Sequence, residues 1–529
     1  MKNEERSMAD APLSRRDLLR LSLLAGTGAS LNAAPAEAVQ ARPAAAPDVY
    51  RSIGVRPLIN ARGTFTILSG SLMLPEVRAA IDAAARQHVH LDELAEAMGA
   101  RLAALTGAEW GLVTSGCSAA LTHATAACVA GGNPDLHIRM PNLSGFAKDE
   151  VIIPRHSRNV YDSAVRVVGA RVIEVDSIQE LESAFGPRTA MIYVLAGQSA
   201  DRSALHLNAI AALARPKGVP ILVDAAAEVL TIPNVHLQNG ATLVAYSGGK
   251  CLRGPQSAGL LLGRKDLVRA AWVHSAPHHG PGRAMKVGKE EAIGMLAAVE
   301  MWAKRDHDAE WKRWTASLDH IASRVSAIGG VTTTVTQPGG LSNRTPSLRV
   351  WWDPQRFGVS GETVARTLFE TEPRIALTAA RRPGPPPETG VGVTPYMMSP
   401  GDETIVADRL YALLSGRTLR DPAVTAAAPA VDLTGRWDVR IEYAAGSSTH
   451  ALHLRQRDGE IDGTHQGEFV SRDLSGTISG SDVSLRSAYS GRNGDALSFT
   501  FTGRVSGDEM SGELDMGEYL GARWTARRR

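Results

Sequence analysis

Val223-Asp224-Ala225-Ala226-Ala227-Glu228, followed further on by Tyr246-Ser247-Gly248-Gly249-Lys250, decides how this chain is read. Ile221-Leu222-Val223 is a short apolar run that ends in a carboxylate. That is the pattern of a buried parallel strand with Asp224 at its carboxyl end. Ala241-Thr242-Leu243-Val244-Ala245-Tyr246 is a second such strand, and it hands over to Ser247 and a pair of glycines. Those glycines let the backbone turn sharply and leave room for a bulky group just before Lys250. A loop from Arg253 to Gly259 then leads into a third apolar run, Leu260-Leu261-Leu262. Outward from this centre, Trp110-Gly111-Leu112-Val113-Thr114, Val151-Ile152-Ile153-Pro154 and Ala190-Met191-Ile192-Tyr193-Val194-Leu195 repeat the theme. Helical spacing lies between such runs and is longest over 75–105 and 292–327. The alternation predicts an α/β domain, a parallel sheet with helices on both faces.

Ligands of open α/β sheets bind at the carboxyl ends of the strands, and several polar side chains fall there. Thr114 turns through Ser115-Gly116-Cys117-Ser118 into an Ala-rich helix. Free N–H groups and the positive end of the helix dipole then face one spot, which suits a phosphate. A plain N-cap by Ser115 or Ser118 is the alternative. His156 and Gln198 each follow a buried strand. A loop lysine and a strand-end aspartate can be the two anchors of pyridoxal 5'-phosphate (PLP). The lysine bonds the cofactor covalently, and the carboxylate keeps the pyridine nitrogen protonated. A surface lysine and an Asp that caps a helix are the alternative.

Four further stretches occur in order: Leu58-Ile59-Asn60-Ala61-Arg62-Gly63-Thr64, Val113-Thr114-Ser115-Gly116-Cys117-Ser118-Ala119-Ala120, Tyr246 to Gln256, and Gly282-Arg283-Ala284-Met285-Lys286-Val287-Gly288-Lys289-Glu290-Glu291. With Asp224 and Lys250 they make the region from Leu58 to Leu414 resemble the selenocysteine synthase-like branch of fold-type I PLP enzymes. That branch includes the L-seryl-tRNA(Sec) selenium transferases and D-glucosaminate-6-phosphate ammonia-lyase. The resemblance implies a large parallel-sheet domain and a small α/β domain. It implies PLP as cofactor, Lys250 and Asp224 as catalytic residues, and Ser115, Gly116, Cys117, Ser247 and Gln198 as further cofactor contacts. His156 would stack on the cofactor ring. Arg62 and Thr64 would reach substrate, with the alternative that Arg62 only pins its segment to the large domain. Arg283 and Lys286 would serve the active site of a partner subunit in a homodimer or higher oligomer, or form a solvated basic loop. Arg374 would clamp a substrate carboxylate. The first reading is a lyase that performs α,β-elimination with deamination on a hydroxylated amino acid or amino-sugar acid. Other PLP carbanion outcomes (aldol cleavage, racemisation, selenium transfer) and a non-catalytic binding protein on the same fold stay open.

Composition bounds these readings. The 529 residues carry Lys+Arg 57 against Asp+Glu 55, with no basic run, which argues against a nucleic-acid partner. Cys117, Cys128 and Cys251 show no metal-ligand spacing, so no metal site is expected. Residues 1–38 read as a twin-arginine signal peptide: Ser14-Arg15-Arg16-Asp17-Leu18-Leu19-Arg20, a short apolar stretch, then Ala36-Glu37-Ala38. That stretch is too short to span a bilayer, so the expectation is a periplasmic or secreted protein without a membrane anchor. The remaining organisation is a linker at 39–49, the large domain at 50–330, the small domain at 331–414 and a second linker at 415–431. From 432 to 529, short alternating segments broken by Asp-Gly, Ser-Gly and Asn-Gly predict a small antiparallel β domain, lipocalin-like in its Gly435-Arg436-Trp437 start.

Overall fold

In the computed structural model, seven apolar runs become the strands of one sheet. They are β1 (Trp110–Thr114), β2 (Glu150–Pro154), β3 (Arg171–Val175), β4 (Thr189–Leu195), β5 (Ile221–Asp224), β6 (Leu243–Ser247) and β7 (Gly259–Gly263). The structure describes residues 48–421, 427–490 and 496–529. The signal-peptide reading of 1–38 and nearly all of the 39–49 linker lie outside the described residues, as do 422–426 of the second linker. Residues up to Pro57 form a unit of their own, whose described part holds one short turn, Arg51–Ile53. The second unit, Leu58–Arg529, holds the sheet.

The sheet order is β1-β7-β6-β5-β4-β2-β3. Strands β3, β2, β4, β5 and β6 run parallel, whereas β7 is antiparallel to both β1 and β6. The sheet is therefore mixed. The Lys250 loop returns the chain directly beside β6 without a crossover helix, and a direct return can only be antiparallel. Both faces are covered, so β5, β6 and β7 are buried almost throughout.

Two long helical expectations are each split in the structure. The 75–105 pattern is α1 (Pro75–Ala85) and α2 (Leu91–Thr106). Arg86 ends α1, and its guanidinium bonds the Asp82 carbonyl and pairs with the Asp82 carboxylate. His90 is already extended before α2 begins. The 292–327 pattern is α4 (Lys289–Lys304) and α5 (His307–Ser326), once α3 (Gly116–Ala130) has been placed after β1. Arg305 is extended, and the Asp306 side chain accepts from the Ala309 N–H, a strong N-cap that restarts the helix in a new direction.

The small domain is an antiparallel sheet of β8 (Val331–Thr336), β9 (Ser347–Trp352), β10 (Thr378–Arg382) and β11 (Glu388–Val393), in the order β10-β11-β9-β8. It packs with α5, α6 (Gly361–Glu370) and α7 (Asp402–Gly416) around Trp352, Val364 and Leu410. Ile59–Asn60 pairs with Ile375–Ala376, which ties the Leu58 segment to this domain.

The last domain is a closed eight-stranded antiparallel barrel: β12 (Gly435–Glu442), β13 (Ser447–Arg457), β14 (Glu460–Gln466), β15 (Ser471–Ser479), β16 (Asp482–Ser490), β17 (Ala496–Ser506), β18 (Glu509–Asp515) and β19 (Gly521–Arg528). β12 pairs with β19, which completes the ring. Alternate residues point inward, and Trp437, Leu485, Phe501 and Trp524 fill the interior.

Candidate active site

Asp224 ends β5 and is only 2% exposed. Three donors surround its carboxylate: the Tyr193 hydroxyl at 2.9 Å, the Ala226 N–H at 3.0 Å and the Cys117 thiol at 3.6 Å. Burial pushes the Asp224 pKa up, and these bonds, with the nearby Lys250 charge, pull it back. Burial and the neighbouring carboxylate hold the Cys117 thiol and the Tyr193 phenol well above their ordinary ranges, so both stay protonated and donate. Tyr193 is itself held by Asn159, whose Nδ2 donates to the phenol oxygen at 3.1 Å and to the Ser157 carbonyl at 2.8 Å. Replacing Tyr193 with Phe should cost about 1–3 kcal/mol, the loss of a buried bond to a charged group. The unfolding free energy in urea measures it.

His156 follows β2 in a short 3-10 turn, half-buried. The Ser157 hydroxyl donates to its Nδ1 at 3.0 Å, which leaves Nε2–H to donate to the Leu205 carbonyl at 3.3 Å. Burial lowers its pKa, so the ring is neutral and flat-sided near pH 7. The chain of bonds from His156 through Ser157, Asn159 and Tyr193 ends on Asp224.

Ser115 precedes α3 with no side-chain cap bond, which sets the plain N-cap aside for this residue and leaves the first N–H groups of the helix unclaimed by it. Gly116 has φ +82°, a left-handed conformation that favours glycine. Across from it, a Cβ on Gly259 would stand 2.3–2.6 Å from Gly116 C and O and Cys117 N. Gly259→Ala must therefore displace this cradle. Overpacking of that kind costs about 1–3 kcal/mol, and the expected result is weaker PLP retention in an absorbance titration.

Ser247 ends β6, paired with Gly259. Lys250 sits three residues on in a turn, half-buried, and lines a cavity of about 1240 Å³. Asp224 lies outside that cavity's lining, and the Lys250 charge acts on it from the wall. Four arginines that sequence reasoning missed, Arg253, Arg305, Arg313 and Arg344, also line it, as do Trp302, Trp311 and Trp314. Burial lowers the pKa of Arg253 and Arg305, and the Arg305 Nε and Nη1 atoms are buried without a hydrogen-bond partner. Tyr396, another missed residue of this wall, accepts the Thr64 N–H at 3.3 Å, and its hydroxyl lies 2.6 Å from Thr64 Oγ1. Arg62 stacks over Phe65 at 4.5 Å and keeps a buried, unbonded Nε.

The remaining expected contacts have these surroundings in the structure. The Gln198 amide lies against the backbone of Gly339. Arg374 donates to the Phe369 carbonyl at 2.7 Å and stacks on that ring, which occupies it within the small domain. Arg283 and Lys286 are exposed, and Arg283 makes one long bond to the Pro277 carbonyl.

These residues fit PLP. A buried carboxylate with three donors and no cation in ion-pair contact among the described residues calls for the positive charge of a protonated pyridine nitrogen. The α3 N-terminus beside the Gly116–Gly259 approach suits a phosphate, and Lys250 supplies the amine. Comparisons with known proteins agree. The aminotransferase class-V family model matches residues 163–339. D-glucosaminate-6-phosphate ammonia lyase of Salmonella typhimurium (strain 14028s / SGSC 2262) is 34% identical over 300 residues, covering 55% of this chain and 79% of that protein. A 5'-C-glycyluridine monooxygenase-decarboxylase of Streptomyces sp is 32% identical over 379 residues, 69% of this chain and 92% of that one. The solved structure of a D-glucosaminate-6-phosphate ammonia-lyase superposes with a TM-score of 0.62 at 29% identity, covering 70% of this chain and 100% of that one. The chain belongs to the selenocysteine synthase-like family of fold-type I, PLP-dependent enzymes, related to D-glucosaminate-6-phosphate ammonia-lyase.

Proposed function

We propose that this PLP-dependent enzyme is an exported lyase that removes a β-hydroxyl and then ammonia from an anionic hydroxylated amino acid or amino-sugar acid. The observation that carries the reading is a buried Asp224, without an ion-pair partner among the described residues, near Lys250 on the wall of an arginine-lined cavity. When bound, the cofactor stabilises the electron pair left at the substrate's α-carbon. Asp224 keeps a proton on the pyridine nitrogen, and Tyr193, Ala226 and Cys117 hold that carboxylate still. Lys250 Nζ takes the α-proton and is placed to return it to the departing oxygen. Arg253 and Arg344 offer charge to a carboxylate or phosphate on the substrate, while Glu310 on the same wall pairs with Arg305 and Arg313. Elimination is chosen over other outcomes because the ammonia-lyase likeness extends to both sequence and fold. The test is to incubate the purified enzyme with D-glucosaminate 6-phosphate and a panel of β-hydroxy amino acids, and to measure ammonia and 2-oxo acid. Both products at equal amounts support the reading, and release of carbon dioxide without ammonia refutes it.

That second outcome corresponds to a rival reading with its own observation. Trp302, Trp311, Trp314 and Tyr396 give the cavity flat aromatic walls that suit a planar ring, and the glycyluridine-acting relative spans more of the chain. Carbon–carbon cleavage would then replace elimination.

Three further parts of the proposal concern context. Export rests on the arginine pair and the small-x-small site near residue 38. A homodimer rests on the family resemblance, in which the exposed Arg283 and Lys286 would serve a neighbouring subunit. A lipocalin-like fold for the barrel, with a packing or assembly role, rests on its closed ring and the Gly435-Arg436-Trp437 start, and the lack of a nucleic-acid or membrane partner rests on the balanced charge and the short apolar stretch near the start of the sequence.

A further inference from the structure

Inside the barrel, near one end, lies a guanidinium with no acid beside it. Arg472, the second residue of β15, is 7% exposed. Among the described residues no carboxylate pairs with it, and its one hydrogen bond runs from Nη1 to His465 Nδ1 at 3.3 Å. Its Nε is buried and unbonded, and the ring of Phe499 lies under Cζ at 4.4 Å. Burial lowers its pKa, the mark of a cation held without compensation. A buried charge of this kind is costly unless something pairs with it.

Among the described residues the neighbours supply polarity, and the nearby Glu468 carboxylate acts on His450 without pairing with Arg472. His465 Nδ1 accepts from the Ser487 hydroxyl at 2.7 Å as well as from Arg472, so Nε2 carries the proton and donates to His450 Nδ1 at 2.8 Å. His450 Nε2 then donates to Ser448 Oγ at 3.0 Å, and Tyr443 closes the chain at 2.6 Å. Both imidazoles are neutral, His465 being pushed down to about 3 by burial and by the charges of His450 and Arg472. Among the described residues the network therefore points its donors one way and leaves Arg472 as the charged group it ends on.

The same end of the barrel carries exposed apolar side chains. Gly467 packs beside the guanidinium: a Cβ there would meet the Val470 carbonyl at 3.3 Å and Nη1 and Nη2 at 3.5 Å. The loops that follow β14 and β18 share this end because the strands alternate, and they carry Phe469 at 93% and Leu520 at 76% exposure. Below the Arg472 layer, Leu485, Phe501, Trp437 and Trp524 fill the barrel, so nothing long can run down its axis. We propose that the barrel binds a free monocarboxylate with a short apolar chain, its carboxylate on Arg472 and its chain across Phe469 and Leu520. The exposed acids of these loops, Glu468 and Glu518, are the rival partners for the same charge.

The test is a calorimetric titration of octanoate into the full-length, PLP-loaded protein, with octanol and acetate as controls. The expected result is one saturable octanoate site per chain, and at least about tenfold weaker binding of octanol, which lacks the charge. Arg472→Met should weaken octanoate by about tenfold or more, and Leu520→Ser should weaken octanoate while leaving acetate unchanged. If Arg472→Met fails to fold, Arg472→Lys and Phe469→Ser take its place: retained carboxylate binding in the first and a weakened chain contribution in the second support the site. No saturable binding by the unaltered protein, equal binding of octanol, or octanoate binding that survives Arg472→Met would each overturn the proposal. So would tighter packing of Glu468 onto Arg472, read as a loss of stability in Glu468→Gln equal to that in Arg472→Met without any octanoate binding.

Discussion

Lys250→Ala should yield a colourless protein that retains its fold but no longer turns over substrate. Lys250 is half-buried at the mouth of the cavity and makes no side-chain hydrogen bond among the described residues, so the fold loses little when the side chain is removed. The chemistry loses two things at once. The amine that attaches PLP is gone, and so is the base at the α-carbon, whose removal alone is worth about 10²–10⁴-fold in rate. The measurement is a visible absorbance spectrum alongside circular dichroism and an ammonia assay. An unaltered fold with absent colour and rate below detection is expected. A variant that stays yellow and active would place the attachment on another lysine and end the assignment.

The second large effect belongs to Asp224→Asn. An asparagine keeps the shape, but its NH₂ cannot accept, while Tyr193, Cys117 and the Ala226 N–H all donate to this position. At least one buried donor is left without a partner, a cost of about 1–3 kcal/mol in stability. The neutral amide also cannot hold a proton on the pyridine nitrogen. Losing one preorganised electrostatic partner of this kind lowers kcat by about 10²–10³-fold, with KM little changed because Asp224 lies outside the substrate cavity. Steady-state kinetics on a folded variant decide it. A fall confined to KM would mean that Asp224 serves the substrate.

Asp224, Lys250 and the Ser115-Gly116-Cys117 turn were legible because their signals are local: a strand that ends in a carboxylate, glycines before a lysine, a strand that turns into a small-residue helix. Tyr193 and Asn159 were not. One is a strand residue whose inward side cannot be told from the run itself, and the other meets it only when β4 lies beside the turn after β2. A tyrosine inside a fully buried strand was the available clue, since its hydroxyl must find a partner. The cavity arginines escaped for a related reason. Arg305 looked like one more residue of a continuous helix, and only the extended backbone before the Asp306 cap turns it onto Trp302 at 4.8 Å. Periodicity carries no mark of such a break, because both halves keep the same apolar spacing. The direction of β7 was equally hidden, since strand composition does not record whether a neighbour runs up or down. The β domain was the reverse case. Turn residues and alternation announced a run of short antiparallel strands, while the polar layer around Arg472 arises only when β14 and β15 place His465 opposite it.

The pairing of β12 with β19 has a consequence for how two such bodies can share one polypeptide. The enzyme's sheet is open, and β3, one of its two outermost strands, is a potential docking rail for any stray strand. Arg171 and Glu174 put charge along that strand, in ion pairs with Glu150, Arg155 and Arg158. A second open sheet joined by a short Ala/Pro tether would be held at high local concentration beside it, an invitation to intramolecular strand exchange. A ring has no loose strand to lend. Once the barrel has closed, the tether can hold it close to the enzyme without either half recruiting the other's strands.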